Sequence, residues 1–400
     1  MRHKEPAVRS DEDRATRSGL TDWNTRTVTL GDISYPYHFG VDCLDRIIAE
    51  LGTYEADRFL VVTDDTVLSL HGERLLAGLR SHAPVELLSL PPGDGMKSLS
   101  HLGAHLEKAI GSGASRRSVV VAFGGGVPGN LAGVVASLLF RGVRLVHVPT
   151  TTVAAMDSVI SLKQAINSSH GKNHIGTYRA PEAVYLDVRL LQTLPSRELR
   201  SGLCEAVKNC LAIRPETLPE MRRHLARGAF TTPEALLWLL DESLAAKCSV
   251  TAEDAYEQHS GLVLEYGHTV GHAVESRDQW RRGAEGVSHG EAVMLGMLAA
   301  SHIARRLGLL DEDAVAVHQE LAEQLGAPTT VPAGLTVEEI MDVVRVDNKR
   351  GYLPVSDEEA AMVLLRTFGK PVGSRELPLT AVPLEVVKGA VVALTPGAQS

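Results

Sequence analysis

The sequence predicts an α/β N-terminal half built on a parallel sheet and an all-α C-terminal half. Three observations carry that expectation. Short β-branched runs alternate with helical patterns up to about Asp187. Beyond it the strand signals vanish, and Leu, Ala, Glu and His recur at three- and four-residue spacings to Leu325. The 400 residues are 44% hydrophobic and 22% charged, a globular composition with enough chain to bury a large core.

The N-terminus, MRHKEPAVRSDEDRATRSG, has no apolar run, so residues 1–24 are expected to form a flexible arm rather than a signal peptide. Residues 27–30 and 34–37 flank Gly31-Asp32 and suggest an antiparallel hairpin. Residues 59–63 read as a buried strand, followed by a helical pattern to about Arg80. Residues 85–90, 119–123 and 143–148 read as further strands, with helices over 98–110 and 131–139 between them. Ser118 to Phe140 is uncharged and of membrane-span length, but Gly124-Gly125-Gly126, Pro128 and Asn130 break it into strand, turn and buried helix. The chain is thus expected to divide into an α/β unit over 25–187 and a helical unit over 188–400.

Charge narrows the partners. A net charge of −9 disfavours a nonspecific grip on nucleic acid or an anionic membrane. Aromatic residues make up 4% of the chain, too few for a base-stacking platform. Cys43, Cys204, Cys210 and Cys248 form no CxxC pair, which suits reduced thiols in the cytoplasm.

Several motifs carry chemistry. Phe123-Gly-Gly-Gly-Val-Pro-Gly-Asn130 follows a strand and opens a helix. Glycines let backbone approach a phosphate, and a helix N-terminus offers free N–H groups and a positive dipole. The spacing is not GxGxxG, so a tight strand-to-helix turn competes with that reading. Asp64 ends a strand where it can hold a ribose hydroxyl or cap a helix. His268 and His272 stand at i and i+4, the spacing that grips one zinc ion, and His289 follows in Ser288-His-Gly-Glu291. Glu205 adds a carboxylate, with Lys208 on the same helix face. One Glu and two His leave positions open for substrate, and spacing alone does not choose the two histidines. Lys163 sits in an apolar alternating segment, where it must reach solvent or meet an anion. Lys172-Asn173 after Gly171 suits a phosphate.

Taken together, the glycine turn, Asp157…Lys163…Lys172-Asn173, Thr193-Leu-Pro-Ser-Arg-Glu198, Glu205…Lys208 and Gly267-His-Thr-Val-Gly-His272 resemble the dehydroquinate synthase-like sugar phosphate cyclases over about residues 27–372. The resemblance implies an NAD- and metal-dependent, usually homodimeric enzyme. It also implies a Rossmann-like NAD-binding α/β domain, a helical metal domain and an active site between them. Position by position, it implies one divalent metal, zinc or cobalt, on Glu205, His268 and His289. His272 would then face the substrate phosphate with Lys163, Asn173 and Lys349, and Arg141 would reach a partner subunit's site. Asp157, Lys208, Lys247 and Glu257 would surround the sugar hydroxyls. Asp64, Asp94, Lys97, Gly125, Gly126, Asn130, Thr150, Thr151, Lys172, Thr193, Leu194 and Glu198 would line NAD.

Departures narrow the branch. Dehydroquinate synthases carry Arg, for the substrate carboxylate, where this chain has Gly261. They carry Asn in place of Glu265 and Asp in place of Asn130. Without that Arg a buried substrate carboxylate loses its bidentate partner. Residues 157–167, 261–268 and 347–352 resemble most the branch that forms 2-deoxy-scyllo-inosose from glucose 6-phosphate, for aminoglycoside antibiotics. The valiolone-type branch, acting on sedoheptulose 7-phosphate, is the nearest rival, and metal-dependent alcohol dehydrogenases are the alternative of a different class. The implied reaction oxidises C4, expels phosphate from C6, reduces C4 again and closes a carbon ring. Glu265 is the candidate acid–base residue, with a supporting role beside a metal-bound His as its competing reading.

Overall fold

The computed structural model describes residues 23–396. Most of the expected arm, residues 1–22, therefore lies outside the described residues. Trp23 and Asn24 do not belong to an arm: they open a strand. Trp23 stacks on His38 at 5.4 Å and lies under the Arg46 guanidinium at 4.3 Å, contacts that hold the strand end down.

The strands of the first half are β1 (Trp23–Leu30), β2 (Ile33–Gly40), β3 (Phe59–Asp64), β4 (Val85–Leu90), β5 (Val119–Gly124), β6 (Arg144–Pro149), β7 (Lys163–Ser168), β8 (Gly171–Tyr178) and β9 (Ala183–Asp187). Seven of them form one sheet in the order β1-β2-β9-β6-β5-β3-β4, parallel except for the β1–β2 hairpin. β7 and β8 pair separately as a hairpin. The helices are α1 (Leu44–Gly52), α2 (Asp65–Val67), α3 (Glu73–Arg80), α4 (Leu99–Gly111) and α5 (Gly126–Leu138). Alternation along β3 sends Phe59 and Val61 to the α1–α3 face, and Leu60 and Val62 to the α4–α5 face. β4 and β5 flank β3 on opposite sides. The ends of β3 and β5 are therefore a topological switch point, where open α/β sheets take ligands.

The uncharged stretch resolves into β5 and α5, and among the described residues no helix is long and apolar enough to cross a membrane. α5 begins at Gly126, earlier than the expected 131. Pro128 is tolerated there because a first-turn residue has no intrahelical N–H partner to lose.

The second half holds α6 (Val188–Leu191), α7 (Ser196–Ala212), α8 (Leu218–Leu225), α9 (Pro233–Thr251), α10 (His268–Arg282), α11 (His289–Arg306), α12 (Glu312–Leu325), α13 (Val337–Val344) and α14 (Leu384–Ala393). α11 is buried along nearly its whole length, with α7, α10, α12 and α14 packed against it. The expectation of an all-α half needs one correction. β10 (Glu359–Met362) pairs with β13 (Thr380–Pro383), and β11 (Leu365–Thr367) with β12 (Lys370–Pro371). Strands of two to four residues are too short to leave a period-two signal in the sequence.

Candidate active site

His268 and His289 reach one point from neighbouring helices, each as the first residue of its own, α10 and α11. A capping box of Ser288 and Glu291 fixes where α11 starts. Glu205 arrives from the middle of α7. Its Oε1 lies 3.4 Å from His289 Nε2 and 3.8 Å from His268 Nε2. The opposite ring nitrogens are both engaged: His268 Nδ1 donates to the Tyr266 carbonyl at 3.2 Å, and His289 Nδ1 to Glu275 Oε2 at 3.0 Å. A carbonyl and a carboxylate only accept, so both Nε2 atoms are left free to bind a proton or a cation.

The electrostatics favour positive charge at this point. Burial pushes the Glu205 carboxyl up, but Lys208, then His289 and His268, hold it well below the usual carboxylate range. Burial opposes charge on His289, yet Glu205 and Glu275 push it up to about 10. Burial dominates at His268 and pushes it down to about 3. Glu205 Oε1 is buried with no hydrogen-bond donor, while Lys208 pairs with Oε2. All three ligand atoms lie within 4.8 Å of one another. Two imidazoles and the Glu205 oxygen that faces them fit zinc or cobalt. His272, Glu275 and His289 form a second such triple. Its members are all half-buried, whereas Glu205 and His268 are buried, and its Glu275 accepts from His289 Nδ1, so the Glu205 triple is the better cation site. The i, i+4 pair is divided: His268 joins one triple and His272 the other.

A string of paired charges leads away from Glu205. Lys247 Nζ lies 2.6 Å from Asp157 Oδ1. Burial would lower Lys247, but Asp157 and Glu257 push it up to about 12. Lys163 Nζ meets Glu257 Oε2 at 2.7 Å with 48% of its side chain still exposed, so both readings of the lysine hold at once. Lys349 is buried, 3.1 Å from Glu265 Oε2 and 3.2 Å from Asp347 Oδ1. Burial pushes Glu265 up, but His268 and Lys349 hold it far below the usual range, so it stands as a carboxylate. Burial lowers His272, with Glu265 opposing that shift and His289 and Lys349 adding to it.

The five residues expected around a phosphate are not drawn together by direct contacts. Lys163 faces Glu257, Lys349 faces Glu265 and Asp347, and Asn173 Oδ1 accepts from Lys97 at 2.7 Å. Arg141 follows the C-terminal end of α5, a 13-residue helix of roughly 20 Å that separates it from Gly126. It is exposed in a run of positive φ: 50° at Phe140, 68° at Arg141 and 124° at Gly142. That position cannot serve this chain's own glycine turn.

The nucleotide-side residues gather around the switch point. Gly125 packs so closely on Thr151 that a Cβ would sit 2.9 Å from its Cγ2, whereas a Cβ on Gly126 would meet open space. Thr150 N–H donates to the Gly124 carbonyl at 3.0 Å, and its Oγ1 is buried without a partner. This open, N–H-rich cradle fits a diphosphate. Asp94 pairs with Lys97 at 3.2 Å and lies 3.7 Å from Lys172. Thr193 bonds His71 at 2.9 Å, one residue before Leu194. Other members hold the scaffold. Asp64 caps Val67 N–H at 2.9 Å, Asn130 accepts the Ala165 N–H at 3.2 Å, and the Glu198 carbonyl accepts from Thr152.

Sequence patterns missed three supporting residues. Glu275 follows His272 by one helical turn, an H-x-x-E spacing that could have drawn notice. Tyr266 acts through its carbonyl, which no side-chain motif signals. Asp254 accepts the N–H groups of His259 and Gly261 at 2.7 and 2.9 Å. A Cβ on Gly261 would lie 2.8 Å from Asp254 Oδ2, so this loop closes over the position where a cousin keeps its Arg.

Residues 87–201 match the 3-dehydroquinate synthase N-terminal family, and residues 202–350 the 3-dehydroquinate synthase C-terminal family. The 2-deoxy-scyllo-inosose synthase of Streptoalloteichus tenebrarius is 50% identical over 364 residues, 91% of this chain and 93% of that protein. The chain belongs to the dehydroquinate synthase family. Within the family it superimposes on a crystal structure of 2-deoxy-scyllo-inosose synthase complexed with carbaglucose-6-phosphate, NAD+ and Co2+. That likeness has a TM-score of 0.84 and 35% identity, over 92% of this chain and 99% of the other. The 2-epi-5-epi-valiolone synthase of Streptomyces hygroscopicus subsp. jinggangensis, with NAD+ and Zn2+ bound, gives 0.78 and 26% over the same shares.

Proposed function

We propose that this chain is a phosphate-eliminating lyase that converts glucose 6-phosphate to 2-deoxy-scyllo-inosose, with NAD and one zinc or cobalt ion as cofactors. The full-length likeness to 2-deoxy-scyllo-inosose synthases carries the reading. The valiolone synthase, at 26% identity, is further away. Gly261, shut in by Asp254, offers nothing to a substrate carboxylate.

Bound NAD supplies transient removal and return of one hydride, and the cation on Glu205, His268 and His289 polarises the alcohol concerned. The chain's own residues do the rest. Lys163, Asn173, His272 and Lys349 orient the phosphate, and charge on the lysines favours its departure. Asp157, Lys208, Lys247 and Glu257 hold the hydroxyls, prealigned by the ion pairs of Lys247 with Asp157, Lys208 with Glu205 and Glu257 with Lys163. The departing phosphate takes up the proton lost from the neighbouring carbon, and Glu265, paired with Lys349 beside the site, is the acid–base candidate for the steps that follow. Arg141 completes the phosphate site of a second subunit in a homodimer. The enzyme works in the cytoplasm, supplying aminoglycoside biosynthesis.

The test is incubation of the purified protein with glucose 6-phosphate, catalytic NAD and zinc or cobalt. The expected outcome is stoichiometric phosphate and a carbocyclic ketone by mass analysis, with no net change at the nicotinamide band. Chelation should stop phosphate release. Net NADH formation would point to an alcohol dehydrogenase. Faster turnover of sedoheptulose 7-phosphate, or robust dehydroquinate from the heptulosonate phosphate, would overturn the substrate assignment.

A further inference from the structure

Glu275 has no part in the assignments above, yet it touches both sides of the site. It lies on α10, two turns after His268. Its Oε2 accepts from His289 Nδ1 at 3.0 Å, on the opposite side of the ring from Glu205. Its Oε1 lies 3.4 Å from Lys172 Nζ on β8, a strand of the α/β half. Lys172 also donates to Gln279 Oε1 at 2.7 Å, one turn further along α10, and lies 3.7 Å from Asp94. Only 14% of the Glu275 side chain is exposed. One carboxylate therefore bridges an imidazole of the cation triple and a lysine of the nucleotide-side cluster, across the two halves.

We propose that Glu275 is a positioning residue that couples the cation site to the nucleotide site. One oxygen keeps the proton of His289 on Nδ1 and presents Nε2 toward Glu205. The other holds Lys172, and with it the β7–β8 hairpin, against α10. Occupancy of either site orders the same carboxylate, so cation and NAD bind with positive and reciprocal coupling. Hydrogen bonds that orient metal-bound imidazoles are worth about 10–100-fold in metal affinity. The inference rests on the NAD and cation assignments of the proposed function, but not on its sugar substrate.

The test needs no turnover. Cobalt affinity is measured by competition with a chelating dye, and NAD affinity by calorimetry, each with and without the other. Wild type is compared with Glu275→Ala and Glu275→Gln, and the visible absorption of the cobalt-loaded proteins is recorded. Glu275→Ala should weaken cobalt about 10–100-fold, shift the absorption bands and remove the coupling. Glu275→Gln keeps an acceptor for His289 but loses the charge facing Lys172. It should therefore lose less cobalt affinity, keep a near-wild-type spectrum and still lose the coupling. Unchanged cobalt affinity and spectrum in Glu275→Ala would overturn the role toward His289. An undiminished coupling factor in Glu275→Gln would overturn the link. A wild type that binds both but never cyclises glucose 6-phosphate would defeat the substrate reading alone.

Discussion

Lys163 shows how one residue can be structurally secure and chemically available. Its ammonium is neutralised by Glu257 at 2.7 Å while half of the side chain faces solvent, so an incoming phosphate can exchange for or share that partner. Glu257 is held at φ 55°, an uncommon conformation for a residue other than glycine, and strain of this sort clusters at working sites. Lys163→Ala should lower kcat/KM for the sugar phosphate by about 100-fold or more, with NAD affinity close to wild type. Phosphate release assays and NAD titration check the two halves of that statement, and near-normal phosphate release would remove the lysine from the site. Gly261 makes the complementary point about specificity. An arginine there meets Asp254 Oδ2 at the first side-chain carbon, so Gly261→Arg should cost about 1–3 kcal/mol of stability and gain no dehydroquinate synthase activity. Denaturant unfolding and a dehydroquinate assay measure both.

At the scale of elements, the cation triple depends on how closely α10 and α11 approach. Gly267 has φ 82°, a left-handed turn that lets α10 begin at His268. A Cβ on Gly296 of α11 would fall inside contact distance of the Gly267 carbonyl oxygen. Gly296→Ala should therefore push the helices apart, cost about 3 kcal/mol or more, and weaken cobalt binding with it. Denaturant unfolding and cobalt titration of the same variant test this, and a wild-type result in both would show that the contact is slack. Elements with a strong period were legible in advance: the strand expected over residues 119–123 forms as β5, Val119–Gly124, because its valines fill a strand paired on both sides and buried throughout. The β7–β8 hairpin was not, because one strand carries Lys163 and the other Lys172, Asn173 and His174, mostly exposed. Its pattern follows the cleft it serves rather than a core. The His268/His272 spacing was misleading for a related reason. Helical periodicity reports which residues share a face, whereas the carboxylate that lies beside His268 comes from α7 and the second imidazole from α11, whose approach no local pattern encodes.

Over the whole molecule, the change of pattern near Asp187 coincides with the end of β9 but not with a break in the apolar core. Tyr35, Tyr37 and Phe39 of β2 belong to the same buried cluster as Leu203, Val207 and Leu240 of the helical half. Tyr35 and Tyr37 donate to the carbonyls of Val159 and Ala155, at 2.6 and 2.9 Å, and Arg26 reaches Asp241 at 2.7 Å. Each half also buries an uncharged imidazole that is not a member of the cation triple. His147 lies on β6, its Nε2 without a partner. His318 lies on α12, between the Ala314 carbonyl at 2.7 Å and the Tyr266 hydroxyl at 2.8 Å. Burial pushes both down from 6.5 to about 4. In the unfolded chain they protonate near 6.5; in the folded protein they stay neutral until about 4. The unfolded state thus binds more protons throughout that window, so stability is fully present above 6.5, falls as the pH drops, and levels off below 4. Each imidazole contributes roughly 1.4 kcal/mol per pH unit. Acid should therefore loosen both halves over one range, since each carries its own penalty while sharing a core with the other. Urea unfolding at steps from pH 6.5 down to 4, on wild type and His318→Gln, gives the measure: the variant's slope should be shallower by roughly 1.4 kcal/mol per unit. Parallel curves for the two proteins would mean that His318 is already charged in the native state.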